Sequence, residues 1–172
     1  LHKIAGERLV LGAEMFEADN QLLLDEYLGS EYEADKFEAE VKLWKNYRTD
    51  YRPLVEFAKK SSLPFIATNV PRRYASLVSR GVFEELDSLS AEAKKYLAPL
   101  PVSYDPELKC YKDMLSMHGM PGMGARPNQN LPKAQAIKDA TMAHFIAENL
   151  PSGKIFIHYN GAYHSDNYLG IV

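Results

Sequence analysis

The chain has 172 residues, a formal net charge of −3, 46% apolar residues and a single cysteine, Cys110. That length suffices for one domain with a sizeable core, and the charge offers no basic field for nucleic acid, which is excluded as a partner. No apolar run approaches the ~20 residues of a bilayer-spanning helix, and one cysteine cannot form an internal disulfide.

In chain order, residues 1–5 read as the end of a helix closed by Gly6. Residues 9–16 form the first strand, since Leu9, Val10, Leu11, Gly12 and Ala13 make the unbroken apolar run of a strand buried on both faces. Glu14 lies inside this run and Glu17 just past it. A buried carboxylate is costly unless paired or hydrogen-bonded, so Glu14 is either ion-paired with an arginine or a metal ligand or general base. Asp19 predicts a helix cap, followed by Leu22, Leu23, Leu24, Tyr27 and Leu28 on or near one face. Residues 31–47 read as a second, strongly charged helix burying Phe37, Val41 and Trp44. Pro53 suits the first turn of a third, with Leu54, Phe57 and Ala58 packing inward.

Residues 64–70 are the second strand. It ends in Asn69, and Pro71 starts a helix at once. Free N–H groups and the positive dipole end of that helix, with Arg72 and Arg73 beside them, suit an anionic group; the plainer reading is two surface arginines on an ordinary turn. Short helices over 83–89 and 90–97 and a proline-marked connection lead to a helix over 107–117 carrying Cys110 and Tyr111. Residues 118–130 lack periodicity and read as a loop, in which His118, Met120 and Met123 are potential soft ligands. Residues 133–150 form the longest helix, with Asp139 and His144 near its apolar face as core polar groups or catalysts.

The last strand, 154–159, follows the turn residues Pro151, Ser152 and Gly153 and breaks at Asn160-Gly161. A dense polar cluster surrounds that break: His158, Tyr159, Asn160, Tyr163, His164, Ser165, Asp166 and Asn167. Three strands separated by helices predict an α/β fold with a parallel sheet, a single domain over residues 1–172. Parallel strands carry the polar groups at their carboxyl ends to one side of the sheet, where ligands of such sheets bind. There Glu14 and Glu17 meet Asn69, Arg72, Arg73, His158, Asn160 and His164. No Walker loop, nucleotide-binding glycine fingerprint or nucleophile elbow is present.

Five stretches carry a resemblance over nearly the whole chain: Leu11-Gly-Ala-Glu-Met-Phe-Glu17; Trp44 with Tyr51-Arg-Pro-Leu-Val-Glu-Phe-Ala58; Ala67-Thr-Asn-Val-Pro-Arg-Arg-Tyr-Ala75; Gln135-Ala-Ile-Lys-Asp-Ala-Thr-Met-Ala143; and His158-Tyr-Asn-Gly-Ala-Tyr-His-Ser-Asp166. Together they resemble the ChaN-like haem-binding, iron-regulated lipoprotein family, similar in fold to the erythromycin esterase and Tiki hydrolases. The resemblance implies a haem-binding, non-catalytic protein for iron acquisition, lipid-anchored to the bacterial cell envelope and working with outer-membrane haem transport machinery. It also implies a homodimer with haem between the subunits, a tyrosine on iron and basic groups on the propionates. Tyr51, Tyr74 and Tyr163 lie in matching motifs, Arg72 and Arg73 suit propionates, and His164 could bind a propionate, ligate iron or hold a metal. Asn69, His158, Asn160 and Asp166 are supporting polar groups. The hydrolase relatives imply an alternative, a divalent-metal hydrolase using Glu14 and His164. One departure stands out: the family's opening strand ends in Gly-Glu-x-His, which this sequence lacks, so that strand is expected upstream of Leu1.

Overall fold

The computed structural model describes residues 1–117 and 128–172. The potential soft ligands His118, Met120 and Met123 lie outside the described residues. The rest divides into two compact units: Leu1–Asn69 with Phe145–Asn160, and Val70–His144 with Gly161–Val172.

The first unit is built on strand β1, Leu9–Glu17, buried along eight of its nine residues. Its apolar side chains have no polar face to offer water, so both ladder edges must be occupied. They are: β2, Phe65–Asn69, and β3, Ile155–Tyr159, both pair with it in parallel, in the order β2-β1-β3. The expected parallel α/β sheet is present, each strand within one residue of its predicted bounds. Gly12 is required by close packing, because a Cβ there would stand 2.6 Å from the Phe156 ring and 3.1 Å from the Ile66 carbonyl. The outer edge of β2 is occupied by a side chain: Gln21 donates to the Phe65 carbonyl at 3.0 Å and accepts from the Ala67 N–H at 2.6 Å. A carboxamide thus imitates a neighbouring strand and blunts an edge open to pairing.

Helices α1, His2–Ala5, α2, Gln21–Leu28, α3, Ala34–Glu40, and α4, Arg52–Lys60, complete this unit, with a π-turn at Tyr47–Tyr51 before α4. Their core with the sheet is rich in aromatic contacts: Phe16 packs edge-on to Phe65 at 5.6 Å, and Tyr27 stacks on Phe37 at 4.6 Å. Three local expectations fail here. Asp19 does not cap α2; it lies in a 3₁₀ turn, Ala18–Asn20, that leads straight into the helix. The single helix expected over 31–47 stops at Glu40, because Val41 turns extended (φ −90, ψ 135) while still burying its side chain. Phe57 is 39% exposed and meets His2 edge-on; Val55 takes its place in the core, beside Ala58, which packs inward as expected.

In the second unit, helix α5, Arg72–Arg80, starts from Pro71 as its N-cap residue. A 3₁₀ stretch, Phe83–Ser88, precedes α6, Ala91–Lys94, whose cap is Ser90 accepting from the Ala93 N–H at 3.2 Å. Helices α7, Lys109–Met117, and α8, Leu131–Glu148, follow, and α8 runs on into the first unit. Val70, Tyr74, Val78, Leu86, Leu97 and Ile137 form this unit's core.

Adding a methyl group at Gly12 forces Phe156 and the backbone of β2 apart, so Gly12→Ala lowers stability by about 1–3 kcal/mol; a urea midpoint equal to the native one would contradict the close approach. A second outcome concerns alkaline pH. Burial, then neighbouring carboxylates, push the Tyr27 and Tyr47 phenols well above the ordinary value of 10.0. The folded chain keeps these protons where the unfolded chain releases them. Their stabilisation is therefore complete below about pH 10 and lost as pH rises further. Urea titrations across that range should give a shallower alkaline loss for Tyr47→Phe than for the native chain, and equal slopes would refute this.

Candidate functional site

At the carboxyl end of the sheet the ladder between β1 and β2 changes register, from Ala13 opposite Ala67 to Glu17 opposite Asn69. The irregularity leaves backbone groups of β1 without their ladder partners. Asn69 makes good one of them: its Nδ2 donates to the Glu14 carbonyl at 2.9 Å. The Asn69 Oδ1 is buried and accepts no hydrogen bond among the described residues. Glu14 itself is 7% exposed. Burial, then the Glu14 carboxylate, raise the Tyr51 phenol, which is half-buried and packs edge-on to Trp44 at 5.7 Å.

One residue earlier on β2, Thr68 Oγ1 lies 2.7 Å from His158 Nε2, and His158 Nδ1 lies 2.9 Å from Asn160 Oδ1. With the amide oxygen accepting, Nδ1 carries a proton, and the threonine hydroxyl, both donor and acceptor, suits Nε2 in either state. The His158 ring is thus held on both sides. The sheet end of this unit therefore brings together Glu14, Thr68, Asn69, His158 and Asn160. Thr68, fully buried, was not singled out from the sequence, because a threonine inside an apolar strand run reads as packing.

The second unit holds the other candidates. Arg72 and Arg73 are exposed in the first turn of α5. Tyr74 is buried, with its hydroxyl accepting from Arg73 Nη2 at 3.2 Å and its ring under the same guanidinium at 4.5 Å. Beyond β3 the chain makes two 3₁₀ turns, Ala162–His164 and Asp166–Tyr168. Adjacent residues of the first turn have opposite fates: Tyr163 is 50% exposed, while His164 is 5% exposed. The His164 ring enters a buried polar network on α8 and α7. Its Nδ1 bonds Asp139 Oδ1, and Gln135 Nε2 lies 2.9 Å from Nδ1 and 3.1 Å from Nε2. Tyr111 donates to the second Asp139 oxygen at 3.0 Å. Burial raises the Asp139 carboxyl above the ordinary range, and the bonds from His164 and Tyr111 partly reverse this. Burial and the Asp139 charge together hold the Tyr111 phenol protonated.

Gln135 and Tyr111 are functional neighbours that the sequence reading did not assign. The available signal was helical spacing, since Gln135 stands one turn before Asp139 on α8. Tyr163 and Asp166, with Lys109, Cys110, Asp113, Asn167 and Leu169, line a shallow cleft of 250 Å³, and burial pushes the Cys110 thiol up. Among the described residues, no three His, Cys, Asp or Glu side chains are grouped to hold a metal ion. Both ring nitrogens of His164 stand within bonding reach of Asp139 or Gln135, so the divalent-metal reading of Glu14 and His164 finds no support.

No curated protein matches the chain. Among solved structures, its fold is similar to one described as "Cofacial heme binding to ChaN of Campylobacter jejuni", with a TM-score of 0.68 and 19% identity. That match covers 99% of this chain and 63% of the other, so the chain spans less than two thirds of that relative's length. Residues 1–172 match throughout the family described as "Haem-binding uptake, Tiki superfamily, ChaN", and the chain belongs to that family.

Proposed function

We propose that this protein binds haem without catalysing a reaction on it, and serves iron or haem acquisition at the bacterial cell envelope. The family match over the whole chain carries this reading. Haem offers a ferric iron whose axial position accepts a phenolate, so the fit turns on an accessible tyrosine. Tyr163 meets that need best, being half exposed at the edge of a cleft. The Tyr74 hydroxyl is engaged by Arg73 within the core, and ionising Tyr51 is opposed by burial and by Glu14. Exposed Tyr168 and Val172, in the same terminal segment as Tyr163, supply flat apolar surface for a porphyrin face. Exposed Arg72 and Arg73 are cations suited to propionates.

A ligand held by one tyrosine from one side leaves its second face uncovered. A second copy of the chain covers it most simply, and we place haem between the two subunits of a homodimer. The relative from Campylobacter jejuni is described as binding haem cofacially, which agrees with such an arrangement. Attachment to the envelope through a lipidated upstream segment, iron-regulated expression and cooperation with outer-membrane haem transport machinery complete the proposal, supported by family membership alone.

Titration of ferric haem followed by its optical spectrum tests the reading. The native chain, Tyr51→Phe and Tyr74→Phe should produce the same shifted Soret band, and Tyr163→Phe, which removes the group on iron, should weaken binding by more than the roughly 10–100-fold typical of losing an outer partner. A native chain that leaves the haem spectrum unchanged would sink it.

A further inference from the structure

Tyr163 has no rigid element of its own. It sits in a three-residue turn, and its direction is set by what fixes the residues beside it. His164 is fixed at three points. Its ring bonds Asp139 through Nδ1 and Gln135 through Nε2, both on α8. Its N–H donates to the Gly161 carbonyl at 2.9 Å, and its own carbonyl accepts from the Ile171 N–H at 2.8 Å. The last bond closes a loop over 164–171 through Gly170, whose φ of +59 and distance of 2.5 Å from a built Cβ to the His164 oxygen admit only glycine without strain. Asp139 is itself oriented on both oxygens, by His164 on one and Tyr111 on the other. It stands on an 18-residue helix, the longest element among the described residues. Neighbouring side chains of a 3₁₀ turn diverge by about a third of a circle. An inward, anchored His164 therefore dictates an outward Tyr163.

We propose that Asp139 is a positioning residue for haem: through His164 it holds the Ala162–His164 turn so that the Tyr163 phenol faces the iron. The inference rests on the haem reading of Tyr163 given above. It assigns the buried Asp139–His164–Gln135–Tyr111 network to ligand geometry, as outer partners orient ligands at metal sites. Neither Asp139 nor His164 touches haem in this arrangement.

The experiment compares haem complexes of the native chain, Tyr163→Phe, Asp139→Ala, Asp139→Asn and Thr141→Val. Thr141 is a control for stability alone. Its hydroxyl accepts from the Ala98 N–H at 3.1 Å and donates to the Ile137 carbonyl at 2.7 Å, so its loss weakens the same helix without touching His164. The readouts are haem loss to an excess of apomyoglobin and the phenolate-to-iron charge-transfer band. Asp139→Ala should release haem about 10–100-fold faster and weaken that band, whereas Thr141→Val lowers the melting temperature and leaves the band intact. In a Tyr163→Phe background, Asp139→Ala should add nothing, as expected for residues acting in one chain of contacts. Should Asp139→Ala fail to fold, the isosteric Asp139→Asn is read instead, with faster haem loss expected and a native rate overturning the proposal. Equal effects of Asp139→Ala and Thr141→Val on the band would overturn the positioning role alone. A Tyr163→Phe complex identical to the native one would overturn the haem reading beneath it.

Discussion

The first unit depends on the burial of β1. Eight of its nine residues are out of water, so β2 and β3 must lie on either side of it, and Gly12 must be bare for Phe156 to cross. Because both pairings are parallel, all three strands end on one side, where the ladder bonds run out. The polar residues found there answer that deficit. Asn69 satisfies the Glu14 carbonyl, and Thr68, His158 and Asn160 satisfy one another. A group of side chains that looks like a reactive centre thus has a structural purpose of its own. The buried Asn69 Oδ1 is the exception, an acceptor left over after the ladder is repaired.

The second unit solves a different problem, that of holding an irregular terminal segment. Gly161–Val172 has no strand or long helix to order it, so its position rests on point contacts. Among the described residues, the bonds of His164 to Asp139 and Gln135 are buried ones. A buried carboxylate is tolerated here because three groups share the burden: the His164 ring, the Tyr111 hydroxyl and the nearby Lys138 charge all oppose the desolvation that raises Asp139. The same anchoring that orders the segment leaves Tyr163, Tyr168 and Val172 facing out. An ordered backbone carrying exposed aromatic groups is what a flat, apolar, iron-bearing ligand requires, and it is the physical content behind the proposed haem function.

The strands were legible in the sequence because burial on both faces leaves a continuous apolar run, and each was placed within a residue. The end of β2 and the start of α5 were legible from Asn69 and Pro71. Local charge pattern misled where tertiary packing took over: Val41 keeps its buried place by leaving the helix, and Phe57 yields the core to Val55. The site was legible as residues but not as partnerships. His158 and His164 read as one cluster because seven positions span them, yet their bonds go to different units. The partners of His164 stand 25 and 29 residues away on a helix, a separation that no local pattern encodes. Tyr163 could not be set apart from Tyr51 and Tyr74 by spacing, since the difference between them is exposure.

The claim that joins these parts is that a tyrosine displayed by the terminal segment holds haem iron. Resonance Raman spectroscopy of the ferric haem complex addresses it most directly, because an iron-bound phenolate contributes ring vibrations of its own. The account predicts those vibrations in the native complex and their disappearance when Tyr163 alone becomes phenylalanine. A histidine-ligated spectrum, or phenolate vibrations that survive that substitution, would contradict it.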